Sequence, residues 1–167
     1  MEPKIIERGE LIVAGMVFHG DPFRGGQGWT EENEVGKLWG RFGRFWDNQR
    51  DNIKNIVDPG KHYEIWVEPN DYKDTKESCL MIGVEIRKIK DLPFELSVKV
   101  LPASKYAIFT LKGDRIKSNW GDEIYKKWLP ESGYQEAHKY LLEVYDDRFK
   151  GLDNLTDSEL DVHLPIK

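Results

Sequence analysis

Residues 139–149 read KYLLEVYDDRF, and the alternation places a glutamate where a core strand has little use for one. Side chains alternate across a strand, so Tyr140, Leu142 and Val144 share one face while Leu141, Glu143 and Tyr145 share the other. Glu143 sits mid-strand with apolar neighbours on both sides. Buried without a partner, its carboxylate would cost several kcal/mol. It therefore faces water, has a partner in the chain, or meets a ligand. Periodicity alone favours the first two, since an antiparallel sheet often keeps one face wet.

The chain has 167 residues, the length of one domain or of two closely similar halves. With 39% apolar and 33% charged residues it reads as globular and soluble. Aromatic residues make up 12%, with six Trp, which points either to an aromatic core or to a stacking surface for a ligand. The net charge of -5 speaks against direct nucleic-acid binding, which needs a basic stripe. The single cysteine, Cys79, excludes an internal disulfide and a Cys-based zinc site. His19, His62, His138 and His163 show no metal-ligand spacing, and there is no nucleophile elbow, phosphate loop or dinucleotide fingerprint. No cofactor and no metal are expected. The N-terminal MEPKIIERGE lacks the apolar core of a signal peptide, and no apolar run approaches the ~18 residues of a membrane span. A cytoplasmic protein with no membrane contact is the expectation.

Working outward, residues 5–19 read as one strand, followed by a glycine-rich loop over 20–30. Thr30 reads as the start of a helix carrying Val35, Leu38, Trp39, Phe42, Phe45, Trp46 and Ile53 on one face over five turns. Most of that face suits a helix-on-sheet core, with Trp39 and Trp46 the candidates for a ligand wall. HYEIWVEP (62–69) and Cys79–Arg87 read as a hairpin, with Glu64, Trp66 and Glu68 on one face of its first strand. Strands follow at 96–101 and 105–112, then a helix from Ser118 to Leu129 ended by Pro130, then the opening stretch and a last strand over 159–166. The order is strand, helix, hairpin, twice over. Laying YEIWVE (63–68) against YLLEVY (140–145) matches Trp66 to Glu143. Glu143 has Glu64, Glu68 and Glu85 as candidate partner carboxylates, and the sequence does not choose among them. A sheet face with Trp66, Glu143 and Tyr145, backed by aromatic helices, suits a flat cation.

KYAIFTLKG, the helix ending in WLPESGY, LLEVYDDRF and the terminal ELDVHLPIK follow one another in this order. Together they resemble the GyrI-like small-molecule-binding domain, also called the AraC effector-binding domain. The likeness is strong over Pro102–Lys167 and compatible over 6–90, where LWGRF and LMIGVEI fit. It implies two fused SHS2-like repeats and a central ligand groove. The family includes the drug-binding halves of multidrug-responsive transcription activators. Its glutamate in an E-x-Y-D strand receives cationic or flat aromatic ligands, and by position that residue is Glu143, with Tyr145 beside it. The chain shows no helix-turn-helix segment, so it is similar to the stand-alone, integron-associated members. Some stand-alone members hydrolyse cyclopropane-bearing genotoxins with an acidic residue in the same groove.

The expected fold is therefore α+β: one domain over 1–167, with repeats over about 5–90 and 95–167 forming a curved antiparallel sheet with two main helices. The leading expectation is a binding protein for amphipathic, cationic aromatic small molecules, with no catalytic residues. Its ligand contacts are expected at Glu143, Tyr145, Trp66, Trp39 and Trp120, the three tryptophans being drawn from pattern. The alternative is a hydrolase with Glu143 as general base and Tyr145 or a Trp positioning the electrophile. A third reading is an adaptor that meets a separate regulator protein when liganded.

Overall fold

The computed structural model describes residues 1–167. Eight strands form one antiparallel sheet: β1 (Lys4–Arg8), β2 (Leu11–Gly20), β3 (His62–Val67), β4 (Ser78–Glu85), β5 (Ser97–Leu101), β6 (Ser104–Lys112), β7 (Tyr140–Tyr145) and β8 (Glu159–Ile166). Their order across the sheet is β1-β6-β8-β7-β3-β4-β2-β5. Read from either edge the order is the same, once β1 is exchanged for β5, β2 for β6, β3 for β7 and β4 for β8. β3 and β7 meet at the centre. The expected strand over 5–19 is in fact two, broken at Gly9 and Glu10. After the break β2 pairs with β4 and β5, while β1 lies at the far edge against β6.

The alternation in β7 has the expected outcome on both faces. Tyr140, Leu142 and Val144 join a core with Leu11, Val13, Tyr63, Ile65, Met81, Leu101 and Tyr106. Every member of that core is a strand residue, so the sheet must curl to bury this face against itself. Gly15 and Gly83 permit the tight approach of β2 to β4, where they are cross-strand partners. A Cβ on Gly15 would stand 2.1 Å from the Ile82 carbonyl oxygen, and one on Gly83 2.3 Å from that of Ala14.

The other face carries the helices. α1 (Glu34–Gln49) lays Leu38, Phe42, Phe45 and Trp46 on Leu80, Ile82 and Val84. Trp46 is buried and stacks on Phe42 with ring centroids 5.9 Å apart. It is therefore a core residue and not part of a ligand wall. The second helical run, over 120–131, places Ile124 on Leu160, Val162 and Leu164. It does not end before Pro130. Trp120–Asp122 leads into a wide-turn segment, Glu123–Trp128, which closes through Leu129–Glu131. Pro130 has no N–H to give to the preceding turn and its ring crowds the carbonyl there. The wide turn accommodates this, with the Leu129 N–H reaching back to the Ile124 carbonyl.

The start of α1 differs from expectation for a definite reason. Thr30 Oγ1 accepts from the Glu32 N–H and makes only a local turn. Asn33 is the cap, accepting from the Gly36 N–H at 3.0 Å. Asn33 is fully buried, and its Nδ2 donates to the carbonyls of Gly26 (3.2 Å) and Gly28 (2.8 Å). One side chain thus ties the glycine-rich loop to the helix start. Asn33→Ala loses the cap and leaves buried carbonyls unpaired, so unfolding in urea should show a loss of about 1–3 kcal/mol. Thr30→Ala should stay within about 0.5 kcal/mol of the parent. The reverse ranking would restore Thr30 as the cap.

Candidate functional site

Glu64 on β3 and Glu143 on β7 stand directly opposite each other in the central strand pair. Directly opposed residues have Cβ atoms about 4.5–5.5 Å apart and share a face. Both side chains point to the helix side and into a cleft between the two helices of about 1550 Å³. Glu64 is 3% exposed and Glu143 5%. None of the chain's ion pairs includes either carboxylate. Among the three carboxylates that the sequence left open as partners for Glu143, the register selects Glu64. Glu85 instead binds Arg8 and the Tyr63 hydroxyl.

The donors around the pair are aromatic. Trp39 Nε1, from α1, donates to Glu64 Oε2 at 2.5 Å, and Trp66 Nε1 donates to Glu64 Oε1 at 2.7 Å. The Tyr145 hydroxyl donates to Glu143 Oε2 at 2.8 Å. The Trp39 and Tyr145 rings meet edge to face, 4.9 Å between centroids, which locks α1 to β7. Around them, Phe23 stacks on Trp66 at 5.9 Å and Trp29 on Phe149 at 6.4 Å. Phe23 and Trp29 come from the loop that Asn33 anchors, so that loop forms a wall of the cleft.

Burial dominates the electrostatics. Loss of solvent pushes the Glu64 carboxyl up to about 7, against the pull of the donors Trp39, Trp66 and Tyr145. It pushes Glu143 well above the ordinary carboxyl range, and the neighbouring Glu64 charge raises it further. The Tyr145 hydroxyl is held well above its usual range by the same desolvation and by both carboxylates. An indole N–H can only donate, and both Glu64 oxygens accept one. Glu64 is thus the better anion, and Glu143 is the member that keeps its proton near neutral pH.

All five residues expected at the site line this one cleft: Glu143, Tyr145, Trp66, Trp39 and Trp120. Tyr145, Trp66 and Trp39 surround Glu143 and its partner Glu64. Trp120 lines the cleft from the second helical run and makes no hydrogen bond to either Glu. The residues not anticipated at the site are Phe23, Trp29 and Phe149, with Glu64 given only as one of several candidates. A signal for Glu64 was present. Glu64-Ile65-Trp66 and Glu143-Val144-Tyr145 are the same glutamate–aliphatic–aromatic triplet, and in each the aromatic donates to its own glutamate.

A single curled sheet with helices on one face and a large aromatic cleft at its centre is the architecture of GyrI-like ligand-binding domains. The chain belongs to the Cass2 family, described as integron-associated effector binding protein, which it matches over residues 4–166. The transcriptional regulator BrlR of Pseudomonas aeruginosa is 30% identical over 170 residues. That alignment takes in 99% of this chain and 56% of BrlR, so the chain spans little more than half of that relative. Among solved structures, SAV2435 bound to tetraphenylphosphonium superposes with a TM-score of 0.70 at 16% identity, covering 100% of this chain and 94% of the other. The integron cassette protein VCH_CASS2 of Vibrio cholerae gives 0.62 at 15% identity, covering 100% and 97%. No helix is long and apolar enough to cross a membrane.

The raised carboxyls carry a sign for stability. The folded protein holds protons that unfolded glutamates, titrating near about 4.3, have already lost. Stability should therefore fall as pH rises from that range toward about 7, the value at which Glu64 titrates in the fold. Glu143→Gln removes one carboxylate while keeping its shape and lets Glu64 ionise more easily. Urea unfolding of this variant should show a shallower decline over this pH span and a higher stability than the parent at its upper end. An unchanged slope would show that Glu143 is not held above the ordinary carboxyl range in the fold.

Proposed function

We propose that the chain is an effector-binding protein whose cleft takes up amphipathic, cationic aromatic small molecules, with Glu64 and Glu143 as the acidic floor and Trp39, Trp66, Trp120 and Tyr145 as walls. The observation that carries this reading is the carboxylate pair buried among aromatic rings with no cationic side chain bound to it. Such a pair is costly in an empty cleft, and a cation seated over it relieves that cost. Aromatic faces attract the same charge, so walls and floor select one ligand class. The volume of about 1550 Å³ exceeds the ~300–1,000 Å³ usual for ligand pockets, which suits bulky ligands over small metabolites. SAV2435, which shares this fold, is seen with tetraphenylphosphonium, a bulky aromatic cation.

The same geometry speaks against Glu143 as a general base. A base must be free of its proton at the working pH. Glu143 is the carboxyl that burial and the Glu64 charge keep protonated. Relatedness to BrlR, a transcriptional regulator, supports a regulatory setting, with a separate regulator protein as the partner to seek.

The fold supports a duplication into two SHS2-like repeats, about 5–90 and 95–167, within a single 1–167 domain. Glu64 pairs with Ile82 on β4, and Glu143 pairs with Val162 on β8. Matching Leu80–Ile86 to Leu160–Ile166 therefore matches Glu64 to Glu143 and Trp66 to Tyr145. This replaces the sequence match of Trp66 to Glu143. On this reading the site is one motif used twice, facing itself across the centre of the sheet.

Tetraphenylphosphonium should quench the protein's tryptophan fluorescence and bind saturably. Glu64→Gln should weaken it by about 10–100-fold, the worth of one lost charge-assisted contact. Trp66→Ala should weaken it as well, whereas Trp46→Phe, in the core, should leave affinity unchanged. Absence of saturable binding, or equal affinity in the Glu64→Gln/Glu143→Gln double variant, would remove the cleft as a cation site.

A further inference from the structure

The two carboxylates share one floor, and their surroundings define how charge is balanced there before a ligand arrives. Their side chains are opposed across β3 and β7 and almost fully buried, and every hydrogen bond they receive comes from a neutral indole or phenol. Two bare negative charges at that separation in a desolvated site are strongly unfavourable. A cation within the chain would resolve this, and the cleft has several. α1 contributes Lys37, Arg41 and Arg44, and Lys117 and Lys139 lie on its other rims. None forms an ion pair with Glu64 or Glu143. Lys37 is held by Glu34 and Lys139 by Glu136. Of the remaining acidic groups of the cleft, Glu136 is paired with Lys139 and Asp146 with Arg148, and Glu31 and Glu68 bring no positive charge to the floor. His62, on β3, also lines the cleft, but burial lowers its proton affinity, and its ring packs edge to face on Trp46 and Phe42. His62 is thus neutral near pH 7 and is not the counter-charge.

We infer that Glu64 and Glu143 form one two-carboxylate site whose resident counter-charge is a single shared proton, and that an aromatic monocation binds by displacing that proton. This rests on the cation-binding reading above and adds to it a defined exchange of charge between the two carboxylates and the ligand. The balance is simple. Above about pH 7, where Glu64 ionises and Glu143 keeps its proton, the empty floor carries one proton and one negative charge. Entry of a monocation makes the second ionisation favourable, the proton leaves Glu143 for the buffer, and the liganded floor holds two negative charges against one positive. Tyr145 and both indoles remain as donors to the two anions. Tyr145 and Trp66 lie close enough to act on both carboxylates, so the donor set can redistribute as Glu143 ionises. The ligand class follows. Permanently charged aromatic cations such as phosphonium or quaternary ammonium compounds, which bring no proton of their own, gain the full exchange.

The test is calorimetric titration of the whole chain with tetraphenylphosphonium at about pH 7.8, where Glu64 is ionised, in two buffers of different ionisation enthalpy, phosphate and Tris. The expected result is release of close to one proton per cation bound, and an affinity that rises toward tenfold per pH unit above about pH 7, until Glu143 itself ionises in the empty floor. In Glu143→Gln the release should disappear and the affinity become nearly flat with pH, while binding persists through Glu64. In His62→Gln the release should remain. Binding by the parent with no proton exchange and no pH dependence overturns this inference and leaves the cation site standing. Release that survives Glu143→Gln but vanishes in His62→Gln also overturns it, by moving the proton to the histidine. Failure of the parent to bind at all overturns both readings.

Discussion

The central constraint in this molecule is electrostatic: two glutamates face each other across the middle of a sheet, away from solvent, with no positive side chain bound to either. Everything around them manages that liability. The indoles of Trp39 and Trp66 each donate to one oxygen of Glu64, and the Tyr145 hydroxyl donates to Glu143. Hydrogen bonds to a charged group are worth roughly twice neutral ones. Burial outweighs these three bonds, pushing Glu64 up to about 7 and Glu143 well above the ordinary carboxyl range. A group kept in so costly a state is a candidate for function on physical grounds.

The strands hold this arrangement because the sheet is secured on both faces. One face closes on itself through a strand-only core that includes Tyr63, Tyr106 and Tyr140, the last two joined by a hydroxyl–hydroxyl bond of 2.8 Å. The opposite face is split into two separate helix-on-sheet cores, one under each helical element. Trp39 and Trp66 pack against both. The cleft is thus the seam where the two cores fail to merge. Its floor is the β3–β7 pair, and its walls are side chains that would otherwise have completed a continuous core. The cost of leaving that seam open is carried by the flanking cores, where Leu38, Phe42, Leu80, Ile82, Ile124, Leu160 and Val162 are each nearly or fully buried.

Much of this was legible in the sequence wherever side-chain periodicity decided the outcome. The faces of β7, β3 and β4 follow from alternation alone, and Glu143 was conspicuous because it broke an apolar pattern. Local polar chemistry was harder to read. Thr30 had the right residue type for a cap, but Asn33 won because one amide can cap a helix and also bind two loop carbonyls. Trp46 and Trp39 lie on the same helix face, and only the path of the neighbouring strands puts one in the core and the other in the cleft. The position of β1 at the far edge of the sheet is a long-range pairing that no local pattern encodes. The match of Glu64 to Glu143 was missed because the strands were aligned on Tyr63 and Tyr140. Those tyrosines face the strand-only core, on the opposite side from the glutamates.

The wall chemistry also distinguishes the ligand this floor suits from others that two carboxylates could attract. A calcium ion takes six to eight oxygen ligands, and magnesium keeps several waters in a strict octahedron. Here both Glu64 oxygens already accept indole N–H groups, and the surfaces above them are rings that cannot replace an ion's hydration shell. A compact ammonium is also strongly hydrated and would surrender that hydration to rings and only two carboxylates. A large aromatic cation loses little hydration on entry, because its charge is spread over apolar surface, and it gains contact with every wall at once. The same walls would hold a neutral aromatic of equal size. On the proposed exchange it would leave the floor with its proton, so the carboxylate pair would add selection by charge to a cleft that otherwise selects by shape and ring surface.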